Sequence, residues 1–418
     1  MSVGTKDLTV EACATSATNM AARLLVTALG AAALISIGCG DDSSVKGAST
    51  GAGKGGERPV ATPSVGGRGG GGVGGGASAA SAPIPGCVAE ALPAGASLRG
   101  VWIGPAGEVW VAGNGGFVGR RLAGSADAWS FCRPGPTGGL HAIWGAAGDD
   151  VWAVGDGATI LRWNGSTWAT VTGAGAPAPG TLRDVWGDAT SVWVVGDAGV
   201  VRRFDGTAWH VADADARYTL SGVWGSPSGV LRVVGGGPLP IVYIDPGAEA
   251  VVLRQTGGQD GAWTREAAFG EARGVARFDR ISGTSDGNVW ACGIKNPSGA
   301  AAGFAYAVHF DGATWSVRAA SSLVPGGAPE EVLHDREFTD VAVGTPDAPA
   351  GAWFAAGFLN AVRFDGAAWS SDDPVATGLD AIDVRGDAMW AAGGDGKIVR
   401  WNGQAWEISR PAVPLPPQ

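Results

Sequence analysis

Short runs of hydrophobic residues recur from residue 98 to residue 410, and glycine, aspartate or asparagine separates them. One unit contains the runs Leu140-His-Ala-Ile-Trp-Gly145 and Val151-Trp-Ala-Val-Gly155, followed by two runs that meet at Trp163-Asn-Gly-Ser-Thr-Trp168. The first two runs are apolar at successive positions, which is typical of strands covered on both faces of a sheet. Each unit therefore predicts four short antiparallel strands.

The third and fourth strands of a unit meet at a characteristic turn. Asn-Gly or Asp-Gly follows an aromatic residue, and tryptophan closes the turn, in five copies at Trp163–Trp168, Phe204–Trp209, Phe310–Trp315, Phe364–Trp369 and Trp401–Trp406. These dipeptides accept positive φ, so a type I′ turn is predicted. The closing tryptophan is expected to fill the space between sheets that diverge from an axis.

The unit occurs seven times, and its first strand falls at 98–104, 140–145, 182–187, 220–225, 278–283, 338–343 and 379–384. A period of about forty residues with four strands per copy is typical of propellers. The sequence therefore predicts an all-β, seven-bladed β-propeller over residues 85–410, with four antiparallel strands per blade. The last copy keeps its own fourth strand at Trp406, so ring closure is not expected to need a strand from residues 85–97.

These motifs resemble the β-propeller superfamily (Kelch- or WD-like), and in particular the Asp-box propellers and the photosystem II assembly-factor-like repeats. The Asp-box pattern, Ser-x-Asp-x-Gly-x-x-Trp, has one more residue between Asp and Gly than the turn Phe204-Asp-Gly-Thr-Ala-Trp209 has. The resemblance covers about residues 98–410. It implies a propeller and suggests two functions: glycoside hydrolysis, as in Asp-box sialidases, or assembly of an envelope complex.

The N-terminal residues predict export. An apolar run from Leu24 to Ile37 follows Arg23 and ends at Cys39, in a pattern that resembles the lipobox of bacterial lipoproteins. Residues 1–39 are therefore predicted to be a lipoprotein signal peptide with Cys39 as the acylated residue. The alternative is an ordinary signal peptide cut near Gly38.

The acidic residues that precede Met20 favour Met20 as the start of translation, with Met1 as the alternative. Residues 40–84 are rich in glycine, serine and alanine, and they predict a disordered linker because such a tract cannot bury enough apolar surface. Residues 411–418 form a proline-rich tail.

Charge and cysteine usage narrow the functional classes. A net charge of −10 and a pI of about 4.9 disfavour nucleic-acid binding, which requires a basic face. In an oxidising compartment Cys87 and Cys132 are a candidate disulfide, whereas Cys292 lies in an apolar run and is expected to be a buried thiol.

Two intervals between copies are longer than the others: the spacings are 42, 42, 38, 58, 60 and 41 residues. The additions belong to blades four and five, near 235–251, 266–277, 295–304 and 319–336. Loops on a rigid scaffold often carry binding sites, although surface loops also tolerate insertion freely. The candidate binding residues there are Tyr243, Arg254, Glu271, Arg273, Lys295, Glu330, Glu331, His334, Asp335 and Arg336.

Catalytic and metal-binding motifs are weak. The sequence contains no Gly-x-Ser-x-Gly elbow or Walker loop, and its four histidines fall in different repeats, so neither a cofactor nor a zinc site is predicted. Asp156 and Asp197 fall at turns between the second and third strands, where turn chemistry explains them and calcium ligation is the alternative. The three tyrosines are scattered, which disfavours a sialidase-like site.

The predicted function is that of a monomeric, non-catalytic lipoprotein of the bacterial cell envelope. It is anchored by lipid only and binds a protein or glycan through its propeller. The alternatives are a glycoside-acting hydrolase and an assembly factor for an envelope complex.

Overall fold

The computed structural model describes residues 82–410, apart from 126, 174, 178, 238–248, 259–260, 270–273, 298–303, 320–336, 346–347, 358–360 and 372–377. The chain divides into a unit over residues 1–72, which lies outside the described residues, and a second unit that contains the fold below. The predictions for the signal peptide, Cys39, the linker up to residue 81 and the tail therefore stay predictions. The described part contains no helix that is long and apolar enough to cross a membrane.

The chain forms seven four-stranded antiparallel sheets, each built from consecutive strands. Blades one to three comprise β1 (Leu98–Ile103), β2 (Val109–Gly113), β3 (Val118–Arg121) and β4 (Ser130–Cys132); β5 (Leu140–Ala147), β6 (Asp150–Gly155), β7 (Thr159–Trp163) and β8 (Trp168–Thr170); β9 (Leu182–Gly187), β10 (Val192–Gly196), β11 (Val201–Phe204) and β12 (Trp209–Val211).

Blades four to seven follow the same order. They comprise β13 (Thr219–Gly225), β14 (Leu231–Gly236), β15 (Ala250–Gln255) and β16 (Trp263–Phe269); β17 (Gly274–Ser285), β18 (Asn288–Pro297), β19 (Phe304–Phe310) and β20 (Trp315–Ala319); β21 (Asp340–Thr345), β22 (Ala348–Ala355), β23 (Val362–Phe364) and β24 (Trp369–Ser371); β25 (Leu379–Arg385), β26 (Ala388–Gly393), β27 (Ile398–Trp401) and β28 (Trp406–Arg410).

The sheets close into a ring. Each hydrophobic cluster combines residues of two neighbouring blades, and one cluster joins Trp390 and Ile398 of blade seven to Leu98 and Val111 of blade one. An open stack would leave the outer faces of the first and last blades unpacked. The predicted seven-bladed β-propeller is confirmed, and all four strands of the last blade come from the C-terminal end of the fold, as expected.

Tryptophans fill the spaces between blades. The ring of Trp110 on β2 lies 5.5 Å from the rings of both Trp163 and Trp168 in the next blade. The fourth-strand tryptophan Trp168 is itself only 8% exposed. Burial of an aromatic ring removes a large apolar surface from water, so the repeated tryptophans stabilise the contacts between blades.

The turn between the third and fourth strands differs from the predicted type I′ turn. Type I′ requires positive φ at both central residues. In blade two Gly165 has a φ of +89°, but Asn164 and Ser166 do not have positive φ. The side-chain oxygen of Asn164 accepts the backbone N–H groups of Ser166 and Thr167, at 3.0 and 2.9 Å. The asparagine side chain therefore takes the place of a backbone acceptor, and only the glycine adopts the left-handed conformation.

An N-terminal arm, residues 82–97, runs along the outer edge of blade one. Cys87 forms the predicted disulfide with Cys132 on β4, and Ala89 pairs with the same residue as an isolated β-bridge. Ile84 is buried between blades one and two, and Leu92 between blades seven and one. Because Ile84 packs into a core cluster, the folded part begins earlier than the predicted boundary at residue 85. For a sequence separation of 45 residues, loop entropy gives the disulfide a stabilising contribution of about 4 kcal/mol.

Candidate functional site

A cavity of about 820 Å³ opens at one end of the central channel, where the first strands begin. We call this cavity the mouth. Residues at or just before the start of the first strands line it, together with residues of the connections between second and third strands; among them are Ser97, Arg99, His141, Arg183, Ser221, Arg277, Asp279, Arg280, Glu337, Thr339, Asp380, Asp395 and Lys397. Its size lies within the range of about 300–1,000 Å³ that is typical of ligand pockets.

The residues at one position of the strand-one motif differ in charge between the two halves of the mouth. The second residue of the strand-one motif is Arg99, His141 and Arg183 in blades one to three, and Asp279, Thr339 and Asp380 in blades five to seven. We call the first three residues the basic side. Asp279 and Asp380, with Glu337 just before the motif of blade six, form the acidic side. The ring thus places one side chain per blade around the axis, and its chemistry changes from one half to the other.

Two aspartates of the connections between second and third strands hold the basic side in place. Asp156 Oδ1 lies 2.8 Å from Nε2 of His141, and its other oxygen accepts the N–H of Gly139. Arg183 Nε donates to Asp197 Oδ1 at 2.7 Å. Burial lowers the pKa of His141, although the Asp156 carboxylate opposes that effect. The imidazole is therefore neutral near neutral pH.

The side-chain contacts of His141 determine its tautomer. Arg99 lies 3.0 Å from Nδ1, and an arginine can only donate a hydrogen bond. Nδ1 must therefore accept, so the proton of the neutral ring is on Nε2, which donates to Asp156.

The acidic side contains three carboxylates and one guanidinium. Arg277 donates to Asp279 at 2.8 Å and also binds Glu337, while the Ser97 hydroxyl donates to Asp380 at 2.7 Å. Burial raises the pKa of each of the three carboxyl groups above its ordinary value. Desolvation therefore favours the neutral forms of these groups, and a cation bound beside them would favour their charged forms.

Arg280 crosses the channel beneath the mouth. Its guanidinium donates to the carbonyl oxygen of Ser221 at 2.9 Å and to that of His141 at 3.0 Å, although Arg280 belongs to blade five and His141 to blade two. The nearby charges of Asp184 and Asp340 favour its charged form. Arg280 thus forms a polar floor that separates the mouth from the rest of the channel.

One buried and two half-buried aspartates connect the first strands of neighbouring blades. Asp184 accepts the N–H of Val223, Asp340 accepts that of Ile382, and Asp383 accepts that of Ile103, at 2.8–2.9 Å. Burial raises the pKa of Asp340 to about 7 and that of Asp383 to about 6. The bond from Asp383 to Ile103 joins the last blade to the first.

Most of the binding residues predicted from sequence lie outside the described residues. These are Tyr243, Glu271, Arg273, Glu330, Glu331, His334, Asp335 and Arg336.

Lys295 is described near the end of β18, with its Nζ 5.5 Å from the centre of the Tyr306 ring. Arg254 lies near the end of β15, beside the turn to β16 and away from the end of blade four where the mouth opens. The loop hypothesis therefore stays a prediction, with Arg254 on a different edge of the blade.

Residues that are close in sequence to the predicted insertions nevertheless line the mouth. In antiparallel blades the connection between strands two and three and the connection to the next blade lie at the same end, which is the end where the mouth opens. Glu337 directly follows residues 320–336, and Arg277 lies four residues after residues 270–273. Two described residues close to the insertions, Glu337 and Arg277, therefore lie on the acidic side of the mouth.

The described residues hold no group of three histidine, cysteine, aspartate or glutamate side chains that is arranged to bind a metal ion. The carboxylates of Asp156 and Asp197 instead bind His141 and Arg183. Within the described part of the chain, these contacts account for the acidic residues at the turns.

Comparison with protein-family models gives no match, and comparison with curated proteins gives none either. Among solved structures, the chain is similar to YCF48 bound to D1 peptide, with a TM-score of 0.53 and 18% identity over 77% of this chain and 98% of that chain. It is also similar to a catalytically inactive virginiamycin B lyase from Staphylococcus aureus with quinupristin. The TM-score is 0.52, and the identity is 12% over 74% of this chain and 97% of that chain.

A third similar structure is the extracellular domain of a hybrid two component system from B. thetaiotaomicron, with a TM-score of 0.53 and 12% identity over 75% of this chain and 40% of that chain. At these identities the likeness establishes the propeller fold and agrees with the resemblance to assembly-factor-like propellers. The disulfide between Cys87 and Cys132 indicates an exported protein, because such bonds persist in oxidising compartments.

Proposed function

We propose that this protein is a non-catalytic propeller of the bacterial cell envelope, anchored by lipid at Cys39, that binds a protein partner through the mouth. The observation that carries the proposal is the cavity of about 820 Å³ with opposite charges on its two sides. A protein segment offers separated charges, whereas a neutral glycan does not. The insertions of blades four and five would extend the binding surface, since two described residues that follow them in sequence, Arg277 and Glu337, line the mouth.

Two of the similar structures contain a bound molecule, a D1 peptide in YCF48 and quinupristin in the lyase. They support the idea that a propeller of this shape can hold a ligand. They do not identify the partner of this chain, because their identity to it is low.

The contacts of Tyr218 bear on the hydrolase alternative. The hydroxyl of Tyr218 donates to Glu249 at 3.0 Å and accepts from Arg265 at 3.1 Å. Tyr218 is only 5% exposed, is not among the residues that line the mouth, and has its pKa raised by burial. A nucleophile needs access to substrate and an activated oxygen, and this tyrosine has neither. Tyr218 is therefore not a candidate nucleophile, and under the proposed function fluorogenic glycosides should remain intact.

Site-specific photocrosslinking tests the mouth as the binding site. A photoreactive residue in place of Lys397, which lines the mouth, should crosslink one envelope protein in living cells. The matched control replaces Val211, which is 62% exposed on the outer strand of blade three, and should give no such product. A partner crosslinked from position 211 but not from position 397 would overturn the proposal.

The anchor and the loops are tested separately. Incorporation of a fatty-acid analogue should be lost in Cys39→Ala, and label retained by that variant would exclude acylation at this thiol.

Replacement of residues 320–336 by a short Gly-Ser linker should reduce the crosslink from position 397 with little change in thermal stability. An unchanged yield would show that this loop takes no part in binding.

A further inference from the structure

The two sides of the mouth differ in how completely their charges are compensated. Arg99 makes no contact ion pair within the described residues, and its one side-chain hydrogen bond goes to the neutral ring of His141. Arg183, in contrast, is paired with Asp197. Arg99 is therefore the group on the basic side whose remaining N–H donors suit an anion, and a guanidinium matches the two oxygens of a carboxylate.

The acidic side has the opposite imbalance. Arg277 serves both Asp279 and Glu337, and Asp380 has only the neutral hydroxyl of Ser97 as a hydrogen-bond partner. The second oxygen of Asp279, Oδ2, is enclosed and has no hydrogen-bond partner among the described residues. A buried carboxylate oxygen without a donor is costly, so a donor supplied by a ligand would be favourable there.

We propose that the mouth binds a peptide segment in one orientation, with a carboxylate of the segment on Arg99 and a lysine or arginine side chain of the segment on the acidic side. This inference rests on the proposed function, because it assumes that the mouth is the binding site. The cation is organic, since the carboxylates of the described residues are not arranged to hold a metal ion.

The floor limits how the segment is held. Arg280 spans the channel between backbone carbonyl groups of blades two and four, so the segment ends or turns within the mouth and does not thread the ring. Both charged contacts therefore form in the same cavity of about 820 Å³. This geometry selects a short segment that carries both charges.

Four fluorescein-labelled peptides test the inference with the full chain. The parent is Glu-Ala-Ala-Lys with blocked ends, and the others replace the glutamate, the lysine or both by glutamine. A hydrogen bond to a charged group contributes about 1.5–3 kcal/mol, so each replacement should weaken binding by about tenfold or more. Equal affinity for all four peptides would overturn the inference.

Variants assign each charge to its side of the mouth. Arg99→Gln should remove the preference for glutamate and retain the preference for lysine, and Asp380→Asn should do the converse. The two variants therefore report on different charges of the peptide, one through Arg99 and the other through Asp380. Arg162→Gln, on the third strand of blade two and outside the residues that line the mouth, is the matched control and should change neither preference.

The pH dependence adds a second readout. Because burial raises the pKa of Asp279, Glu337 and Asp380, these groups take up protons before ordinary carboxyl groups as the pH falls. Acidification should therefore weaken binding of the lysine peptides more than binding of the glutamine peptides, at a pH above the range in which ordinary carboxyl groups titrate. An equal loss for both kinds of peptide would contradict a cation site on these carboxylates.

The crosslink from position 397 separates failure of this inference from failure of the proposed function. If no peptide binds, the two variants are tested on the crosslink itself, and each should reduce its yield by several-fold. A strong crosslink that neither variant changes would overturn the charge-oriented segment and leave the mouth as the binding site. If the photoreactive residue at position 397 gives no crosslink in the protein with Arg99 and Asp380 unchanged, both the inference and the proposed function are overturned.

Discussion

Blades one, two, three and seven differ from blades four, five and six in the connection between the second and third strands. We call the first group the regular sector and the second the insertion sector. In the regular sector the connection is a short 3-10 turn at Asn114–Gly116, Asp156–Ala158, Asp197–Gly199 and Gly394–Gly396. In the insertion sector it includes residues 238–248, 298–303 and 358–360, which lie outside the described residues.

The second strand departs from its consensus in blade four. In the other six blades it carries a tryptophan, whereas blade four has Arg232 at that position, 2% exposed and bound to Glu266. Its guanidinium lies 4.7 Å from the centre of the Phe310 ring of blade five, where other blades place a tryptophan against the next blade. Blade five also contributes Arg277 and Arg280 to the mouth. Blade four, in the insertion sector, thus replaces the packing tryptophan of the other blades by a buried ion pair.

The largest expected effect comes from breaking the buried ion pair of blade four. Glu266→Ala leaves Arg232 buried without its partner, which should reduce the free energy of unfolding by about 3–5 kcal/mol. In blade two, Arg162 and Asp150 form a more exposed ion pair. The side chain of Arg162 is 40% exposed and that of Asp150 is 29% exposed. Asp150→Ala should cost only about 1 kcal/mol. Urea denaturation of the purified variants measures both effects.

Restoring the consensus provides the control. Arg232→Trp combined with Glu266→Ala replaces the ion pair by the tryptophan of the other blades, and apolar replacement of a buried pair is often neutral or stabilising. The double variant should therefore recover most of the stability that Glu266→Ala loses. If it is no more stable than the single variant, the tryptophan and the ion pair are not equivalent solutions to packing in this ring.

The regular sector explains why the fold could be predicted from sequence. Hydrophobic periodicity, the Asn-Gly and Asp-Gly turns and the tryptophans are local signals, and they recur at nearly constant spacing. The register of β5 with β6, in which Trp144 faces Trp152, follows directly from that pattern. The prediction of a type I′ turn was wrong because side-chain oxygens such as that of Asn164 accept backbone N–H groups of the turn. The hydrophobic periodicity carries no information about such side-chain hydrogen bonds.

The mouth could not be predicted in the same way. Arg99, His141, Arg183, Asp279 and Asp380 share one position of the strand-one motif, but they differ in chemical type and no local motif contains them. Only closure of the ring brings residues that are hundreds of positions apart, such as Ser97 and Asp380, within hydrogen-bond distance. The sequence signal that could have revealed the mouth is the second residue of the strand-one motif, compared across all seven copies.

The aspartates that join neighbouring blades give a pH-dependent comparison. Asp340 belongs to the insertion sector and Asp383 to the regular sector, with pKa values of about 7 and about 6. A pKa above the unfolded value means that the folded state binds the proton more tightly, so the stabilising contribution is complete at low pH and is lost as the pH rises through the folded pKa. The melting temperature of Asp340→Asn should therefore fall less than that of the parent between about pH 5.5 and pH 8.

Asp383→Asn distinguishes the two positions. Its divergence from the parent should occur about one pH unit lower than that of Asp340→Asn, in line with its lower pKa. His141 and His309 act in the opposite direction, since burial lowers their pKa values, but their contribution is common to parent and variants. Identical pH profiles for parent and both variants would show that the two carboxyl groups do not titrate in this range.

The smallest expected effect tests the short turns of the regular sector. The central residue of these turns has positive φ: 70° at Gly115, 65° at Gly157, 54° at Ala198 and 54° at Asp395. Left-handed backbone costs an alanine about 1–2 kcal/mol, and a glycine increases the entropy of the unfolded chain by a smaller amount. Ala198→Gly should therefore stabilise the protein by about 0.5–1 kcal/mol, and Gly157→Ala should destabilise it by a similar amount. Opposite signs in urea denaturation would confirm that this turn conformation, and not residue identity, is what the regular blades share. A loss of stability in both variants would instead indicate that the methyl group of Ala198 contributes packing that outweighs its backbone strain.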